Sequence, residues 1–176
     1  YESMWHVPVY SEISLGAQLV PSFMDMAGLY DRGQNQTVLD AGCGTGLGAL
    51  ALRDAGFKVT MCDLTSAGLV PEAAKLPFRE VCLWQPLRNQ LPFRLGGTYD
   101  WVYCCDVLEH IPNVADVIME LMEVSTFGVF ALVPLASVDG FGYVIPSYEQ
   151  DVTHIHRFTL GTWARAFIQP GWVIEA

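Results

Sequence analysis

Val38-Leu39-Asp40-Ala41-Gly42-Cys43-Gly44-Thr45-Gly46 is the stretch that decides the fold. It opens on a β-prone apolar run, turns through three glycines and leads into the apolar stretch Leu47 to Leu52. Strand, tight loop and helix start in that order form the unit with which α/β folds hold nucleotide-type cofactors. Glycine adopts positive φ without strain and lets a ligand approach the backbone. The helix start adds N–H groups with no partner inside the helix and a partial positive charge. The spacing is Gly42-x-Gly44-x-Gly46, with Gly48 two further on. A dinucleotide pyrophosphate takes G-x-G-x-x-G instead. Asp40, at the end of the strand, repels phosphate but accepts a hydrogen bond from an ammonium group. The loop therefore suits a cofactor with a cationic end, and a nicotinamide oxidoreductase is the weaker reading.

Working outward, Phe57–Asp63 reads as a second strand closing on a carboxylate 23 residues beyond Asp40. An acidic residue about 20 positions past a glycine loop takes ribose hydroxyls, and an Asp N-cap for a following helix is the alternative. Leu64 stands beside it. Glu80–Trp84 is predicted as the third strand, with Gln85-Pro86-Leu87 above it; Trp84 by stacking and Gln85 by its amide are candidate adenine contacts. Tyr99–Asp106 reads as the fourth strand, followed by Val107-Leu108-Glu109-His110-Ile111-Pro112. Asn113 is expected to cap an amphipathic helix through Val114, Val117, Ile118, Leu121 and Met122. Gly128–Pro134 is the fifth strand, Thr159 caps a helix from Leu160 to about Ile168, and Trp172–Glu175 begins a sixth strand. Residues 135–158 lack periodicity, as functional loops often do.

These segments carry a family resemblance. Val38 to Gly46 resembles, nearly letter for letter, the first motif of class I S-adenosylmethionine-dependent methyltransferases. Tyr99–Asp106 with Val107–Pro112 is similar to another segment of that family, and Asp63 matches its acidic residue at the end of strand two. The likeness spans about residues 38–165 and is nearest to small bacterial and phage-type members. It implies a doubly wound, mostly parallel Rossmann-like sheet, with the last antiparallel strand of the family lost or cut off. It also implies S-adenosylmethionine as cofactor, with Asp40, Gly42, Cys43, Gly44, Thr45 and Gly46 at the methionine end, Asp63 and Leu64 at the ribose, Trp84 and Gln85 at the adenine, and Asp106 near the cofactor. Gln90 precedes Leu91-Pro92-Phe93, where many members have an acidic residue.

Composition sets the remaining bounds. The 176 residues are 52% apolar and 12% aromatic, which suits one globular domain: an N-terminal helical or lid segment over 1–37 and an α/β core over 38–176. Tyr1, Trp5 and Tyr10 either fold over the cofactor or cover core. A net charge of −10, from 9 basic against 19 acidic residues, argues against a nucleic-acid partner. No apolar run is long enough for a membrane span. The five cysteines show no C-x-x-C pair and read as reduced thiols, hence a cytoplasmic location. A first residue of Tyr rather than Met reads as a fragment or processed form.

Methyl transfer from a sulfonium asks the protein mainly for proximity and geometry, while a hydroxyl acceptor gains from a base. His110 is the candidate base and Glu109 its catalytic neighbour, with a hydrogen-bonded structural histidine as the plain alternative. Asp106, Glu109 and His110 with His154 or His156 also have the donor types of a divalent-metal site. In that respect Asp106-x-x-Glu109-His110 and His156-Arg157-Phe158 look similar to segments of small-RNA 3′-terminal 2′-O-methyltransferases, with Asp106 where those have Glu. The reading adopted assigns no metal. It expects a methyltransferase acting on a small-molecule acceptor; a metal-assisted RNA 2′-O-methyltransferase and a cofactor-binding protein without transferase activity are the alternatives.

Overall fold

The structure is a computed structural model that describes residues 14–29, 35–92, 98–139, 142–144 and 151–175; Tyr1, Trp5 and Tyr10 lie outside that set. Five strands, β1 (Thr37–Ala41), β2 (Lys58–Asp63), β3 (Phe78–Glu80), β4 (Tyr99–Cys105) and β5 (Ser125–Leu132), form one parallel sheet in the order β3-β2-β1-β4-β5. Helix α1 (Leu15–Gln18), α2 (Val20–Met26), α3 (Leu47–Asp54), α4 (Val114–Val124) and α5 (Leu160–Ala166) flank it. A small antiparallel hairpin, β6 (Ser137–Asp139) with β7 (Gly142–Val144), stands apart from the sheet.

The two-residue period of the strands divides the core into two layers. Leu39, Ala41, Cys62, Val102 and Cys104 pack with Val117, Ile118 and Leu121 of α4 and with Trp163 of α5. Val38, Val59, Met61 and Tyr103 face the other way, against Val20 and Phe23 of α2 and Ala49 and Leu52 of α3. Phe23 is 1% exposed and meets Phe57, Trp101, Tyr103 and Phe130 at centroid distances of 5.5 to 5.6 Å. Helix α2 of the N-terminal segment is therefore part of the core.

Chain order reverses between β1 and its neighbours, β2 on one side and β4 on the other. In open α/β sheets that switch point opens a crevice beyond the carboxyl ends of the strands. Helix α3 starts directly after Gly46 and ends before Gly56, whose φ of +101° is the left-handed conformation that stops a helix.

Several boundaries move. The third strand is Phe78–Glu80, because the β2–β3 ladder stops at Asp63–Glu80, which leaves Trp84 in the turn beyond it. The fifth strand begins at Ser125, straight from the C-cap of α4. Trp172–Glu175 is not a strand, since β5 has no partner on its far side among the described residues. Asn113 occupies the N-cap position of α4 without a side-chain cap; its amide instead donates to the Trp84 carbonyl at 3.5 Å. Thr159 does cap α5, through the Thr162 N–H.

Gly128 sits opposite Trp101 in the β4–β5 ladder. A Cβ there would lie 2.7 Å from Trp101 Cζ3, and the indole is pinned by its Nε1–H donating to Gln36 Oε1 at 2.8 Å. Gly128→Ala is expected to destabilise the chain by about 1–3 kcal/mol through overpacking. Chemical denaturation of the two proteins measures it, and an unchanged midpoint would show that the indole yields.

Candidate functional site

The glycine loop lies beyond the carboxyl end of β1 and is fixed by backbone bonds. Gly42 N–H and Cys43 N–H both donate to the Cys62 carbonyl, at 2.8 and 3.1 Å, and Gly46 N–H donates to the Cys43 carbonyl at 2.8 Å. Gly42, Gly44 and Gly46 have φ of +78°, +53° and +79°, which L side chains adopt only with strain. Two of the three also make room for protein. A Cβ on Gly42 would lie 2.4 Å from Val107 Cγ2, and one on Gly46 would lie 2.4 Å from the Cβ of Ala73. The loop glycines thus serve its internal packing as well as ligand access.

Asp63 is 3% exposed and stitches the loop to β2: Oδ2 accepts from Gly44 N–H at 2.8 Å and Oδ1 from Leu64 N–H at 2.7 Å. No α-helix begins there, so the N-cap alternative does not apply. A carboxylate offers about four lone-pair directions, more than these two N–H groups use.

Asp40 shares the β1 face with Val38 and Tyr103 and is 5% exposed. Its carboxylate takes the N–H of Ala49, while Oδ2 is buried and accepts no hydrogen bond among the described residues. Burial, with the Asp63 charge beside it, pushes its pKa up to about 7, against the Ala49 N–H that lowers it. The carboxylate is closely walled: a Cβ on Gly48 would stand 3.5 Å from Oδ2 and 3.9 Å from the Gly16 backbone. Gly16 is held there because Tyr103 Oη donates to its carbonyl. Sequence reading missed Gly16, Gly48 and Tyr103 as parts of this wall. The spacing of Gly48 after the loop was the one available signal.

A buried carboxylate oxygen without a donor is costly unless a cation meets it. The pocket around Asp40 therefore fits the ammonium end of an amino-acid-bearing cofactor. Thr45 is buried, and its carbonyl accepts from Val70 N–H at 3.0 Å. Cys43 is buried too, and burial drives its thiol far above the usual range, so it lines the site without acting as a nucleophile.

Asp106 ends β4 with φ of +54°, one of two non-glycine residues with positive φ among the described residues, and its N–H donates to the Leu132 carbonyl at 3.0 Å. Such a conformation marks a position held by its surroundings. Glu109 and His110 follow in a tight turn, Leu108–His110. Glu109 is fully buried, and its carbonyl accepts from Ile155 N–H and His156 N–H at 3.0 and 3.1 Å, which binds the distant 151–156 segment to the turn. His110 Nδ1 lies 3.2 Å from the Thr153 carbonyl and 3.1 Å from Thr153 Oγ1.

Glu109, His110 and His154 present donor atoms within 4.8 Å of one another. Asp106 and His156 are outside that group; the His156 Nε2 pairs with the Ile111 carbonyl at 2.8 Å and its ring packs on Phe158. Of the residues grouped by spacing, the structure thus joins three and separates two.

Trp84 and Gln85 stand further out. Both are exposed and line, with Asn113, Asp116 and Met119, a groove of about 320 Å³ between their turn and α4. A larger hollow of about 960 Å³, walled by Phe23, Trp101, Phe127 and Trp172, lies beside β5 and the entry to β4. It is lined by none of the candidate site residues, which lie at the carboxyl ends of the strands and in the turns that follow them.

A family model described as a methyltransferase domain matches residues 17–176. The magnesium protoporphyrin IX methyltransferase of Arabidopsis thaliana is 44% identical over 86 residues, 46% of this chain and 26% of that protein. A ubiquinone biosynthesis O-methyltransferase of Pseudomonas paraeruginosa is 29% identical over 147 residues, 74% of this chain and 62% of that one. The chain thus spans less than two-thirds of the length of either relative. Among solved structures, the magnesium protoporphyrin IX methyltransferase of Synechocystis PCC 6803 with bound S-adenosylmethionine matches at 25% identity and a TM-score of 0.51, over 77% of this chain and 65% of that one. An S-adenosylmethionine-dependent methyltransferase of Mesorhizobium loti shares the fold at a TM-score of 0.62 and 17% identity, over 91% and 84% of the two chains. With the sheet order, the glycine loop and this match over nearly its whole length, the chain belongs to the class I S-adenosylmethionine-dependent methyltransferases.

Proposed function

We propose that the chain binds S-adenosylmethionine at the glycine loop and supports transfer of its methyl group to a small-molecule acceptor. The observation that carries this reading is the buried Asp40 Oδ2, with no hydrogen-bond donor among the described residues, at the carboxyl end of the central strand. An α-ammonium group supplies the missing charge and donors together. Gly42 to Gly46 shape the cradle for the methionine end, and Asp63 with Leu64 faces the ribose. Trp84 and Gln85 reach the adenine only if the cofactor extends toward α4.

When bound, the cofactor supplies an electrophilic methyl; the chain's own task is to hold donor and acceptor in line and keep water out. His110 serves as the base for a hydroxyl acceptor, its Nδ1 fixed at Thr153 and its Nε2 turned to Glu109. The relatives' names specify a porphyrin and a ubiquinone precursor pathway, which supports a small acceptor. They give no support to the RNA alternative. No helix of the described residues is long and apolar enough to cross a membrane.

Calorimetric titration with S-adenosylmethionine and S-adenosylhomocysteine tests the reading: micromolar binding is expected, and its absence removes it. Product S-adenosylhomocysteine on a candidate acceptor then separates an enzyme from a binding protein. The pH dependence has a defined sign. The cation selects ionised Asp40, whose pKa in the ligand-free chain is about 7. Affinity should be highest between about pH 7 and 8. It should fall below about pH 7 as Asp40 takes up a proton, approaching about tenfold per unit with a proton released on binding, and fall again above about pH 8 as the ligand's ammonium loses its proton. A flat profile would place the ammonium elsewhere.

Asp40→Asn should abolish binding yet stabilise the ligand-free chain. The folded-state pKa lies above the unfolded one, so the folded chain binds more protons than the unfolded one between about pH 4 and 7 and loses stability as pH rises through that window. The amide removes that penalty, a gain on the order of 2 kcal/mol above pH 7. Thermal melts at pH 5 and 8 measure it; the gain should be present at pH 8 and small at pH 5. Asp63→Ala should weaken cofactor binding by about 1–3 kcal/mol, the cost of unpaired ribose hydroxyls, and unchanged affinity would remove Asp63 from the ligand.

A further inference from the structure

The geometry points to a divalent-metal site formed by Glu109, His110 and His154. The buried Glu109 Oε1 lies 3.8 Å from His154 Nε2 and 4.0 Å from His110 Nε2, and the two imidazole rings stand edge to face with centroids 4.6 Å apart. These separations are close to what one ion spans: bonds of about 2.0–2.2 Å to nitrogen and oxygen in a tetrahedral site put neighbouring donors roughly 3.3–3.6 Å apart. A contraction of a few tenths of an ångström brings Glu109 Oε1 to that distance from both imidazole nitrogens.

The surroundings of the cluster resemble the outer support that metal-binding histidines require. A ligating imidazole usually holds its other nitrogen on a carbonyl, which fixes the tautomer and aims the lone pair. His110 Nδ1 lies against the Thr153 carbonyl, so its Nε2 is the nitrogen that turns to Glu109. Thr153 is itself held by Asp151, whose Oδ1 accepts from the threonine N–H at 2.8 Å and from Oγ1–H at 2.6 Å. Asp151 Oδ2 stands 3.7 Å from the same His154 Nε2 that faces Glu109 and adds negative charge on the ligand side of that ring. Arg157 donates to the carbonyls of His154 and Asp151 at 2.6 and 2.7 Å, and the Glu109 carbonyl takes two N–H groups from the same segment. The two ligand-bearing segments, 45 residues apart in sequence, are therefore bound together independently of any ion.

Two imidazoles and one carboxylate select a borderline divalent ion of the zinc or cobalt type over magnesium or calcium, which want more oxygens. Three protein ligands leave at least one position for water or another oxygen. His110, 30% exposed, is the side from which that position is reached. Resting on the methyltransferase reading, an acceptor hydroxyl would take that place and lose its proton more readily, and His110 would then assist as a ligand to the ion in place of a free base.

The test uses the whole chain, freed of metal by chelator and titrated with Co²⁺ alone. Expected are one equivalent bound with micromolar affinity or better and a visible absorption spectrum of nitrogen and oxygen ligation. His110→Ala and His154→Ala should each weaken uptake by more than the roughly tenfold to hundredfold typical of supporting residues. Circular dichroism checks that each variant is folded. Uptake unchanged in the folded double variant, no uptake at millimolar Co²⁺, or a thiolate charge-transfer band placing the ion on cysteines would each overturn the site. The wild-type spectrum decides even if the variants unfold. S-adenosylmethionine titration of the same samples separates the two proposals. Cobalt binding without cofactor binding defeats the methyltransferase reading and leaves the metal site standing; cofactor binding without cobalt does the reverse.

Discussion

A carboxylate buried in the middle of a sheet is the constraint on which the rest of this structure turns. Asp40 stands at the carboxyl end of the central strand, 5% exposed, with one oxygen lacking a donor among the described residues and a second carboxylate, Asp63, close enough to raise its pKa. A fold tolerates such an arrangement at a functional site, where the cost is offset when the ligand arrives. The residues around it keep water out. Gly16 and Gly48 bring backbone close, and Tyr103 ties α1 down over the strand ends. The N-terminal helices, which precede the cofactor loop in sequence, are thus structural parts of its wall.

The second carboxylate has a different task. Asp63 accepts the N–H groups of Gly44 and Leu64 and so joins the glycine loop to the neighbouring strand. Cys62 does the same through its carbonyl, which takes the N–H groups of Gly42 and Cys43. The loop is held in shape by β2 before any ligand is present. Preorganisation of this kind spares binding energy that a flexible loop would spend on ordering. Val107 and Ala73 fill the space that side chains on Gly42 and Gly46 would need, so these glycines serve the packing of the loop.

Beyond β4 the chain reuses the principle on the opposite side of the crevice. The Leu108–His110 turn is buried at Glu109 and fastened by backbone bonds to residues 155 and 156. A long connection with little periodicity thereby becomes a positioned wall bearing His154, Thr153 and Asp151. Two imidazoles and a carboxylate converge there because the connection returns to the turn, and neither segment would hold them alone.

What the sequence determined by itself follows from local physics. The run Val38–Gly46, the strand ending at Asp63 and the segment Tyr99–Pro112 each combine strand propensity and a polar terminus within a few residues, so these elements were legible from spacing, and the resemblance they carry implied the parallel sheet. Thr159 began a helix as read, because capping is local too. What only the tertiary structure decided depends on contacts between distant segments. The third strand starts early because its partner β2 sets the register, and Trp172–Glu175 has no ladder to join among the described residues. Asp106 and His156, grouped with Glu109 and His110 by residue type, fall away from them, whereas His154 joins. Spacing tells which side chains share a strand end, but convergence across 45 residues is fixed by the folded backbone. The charge state of Asp40 likewise comes from burial, which no local pattern encodes.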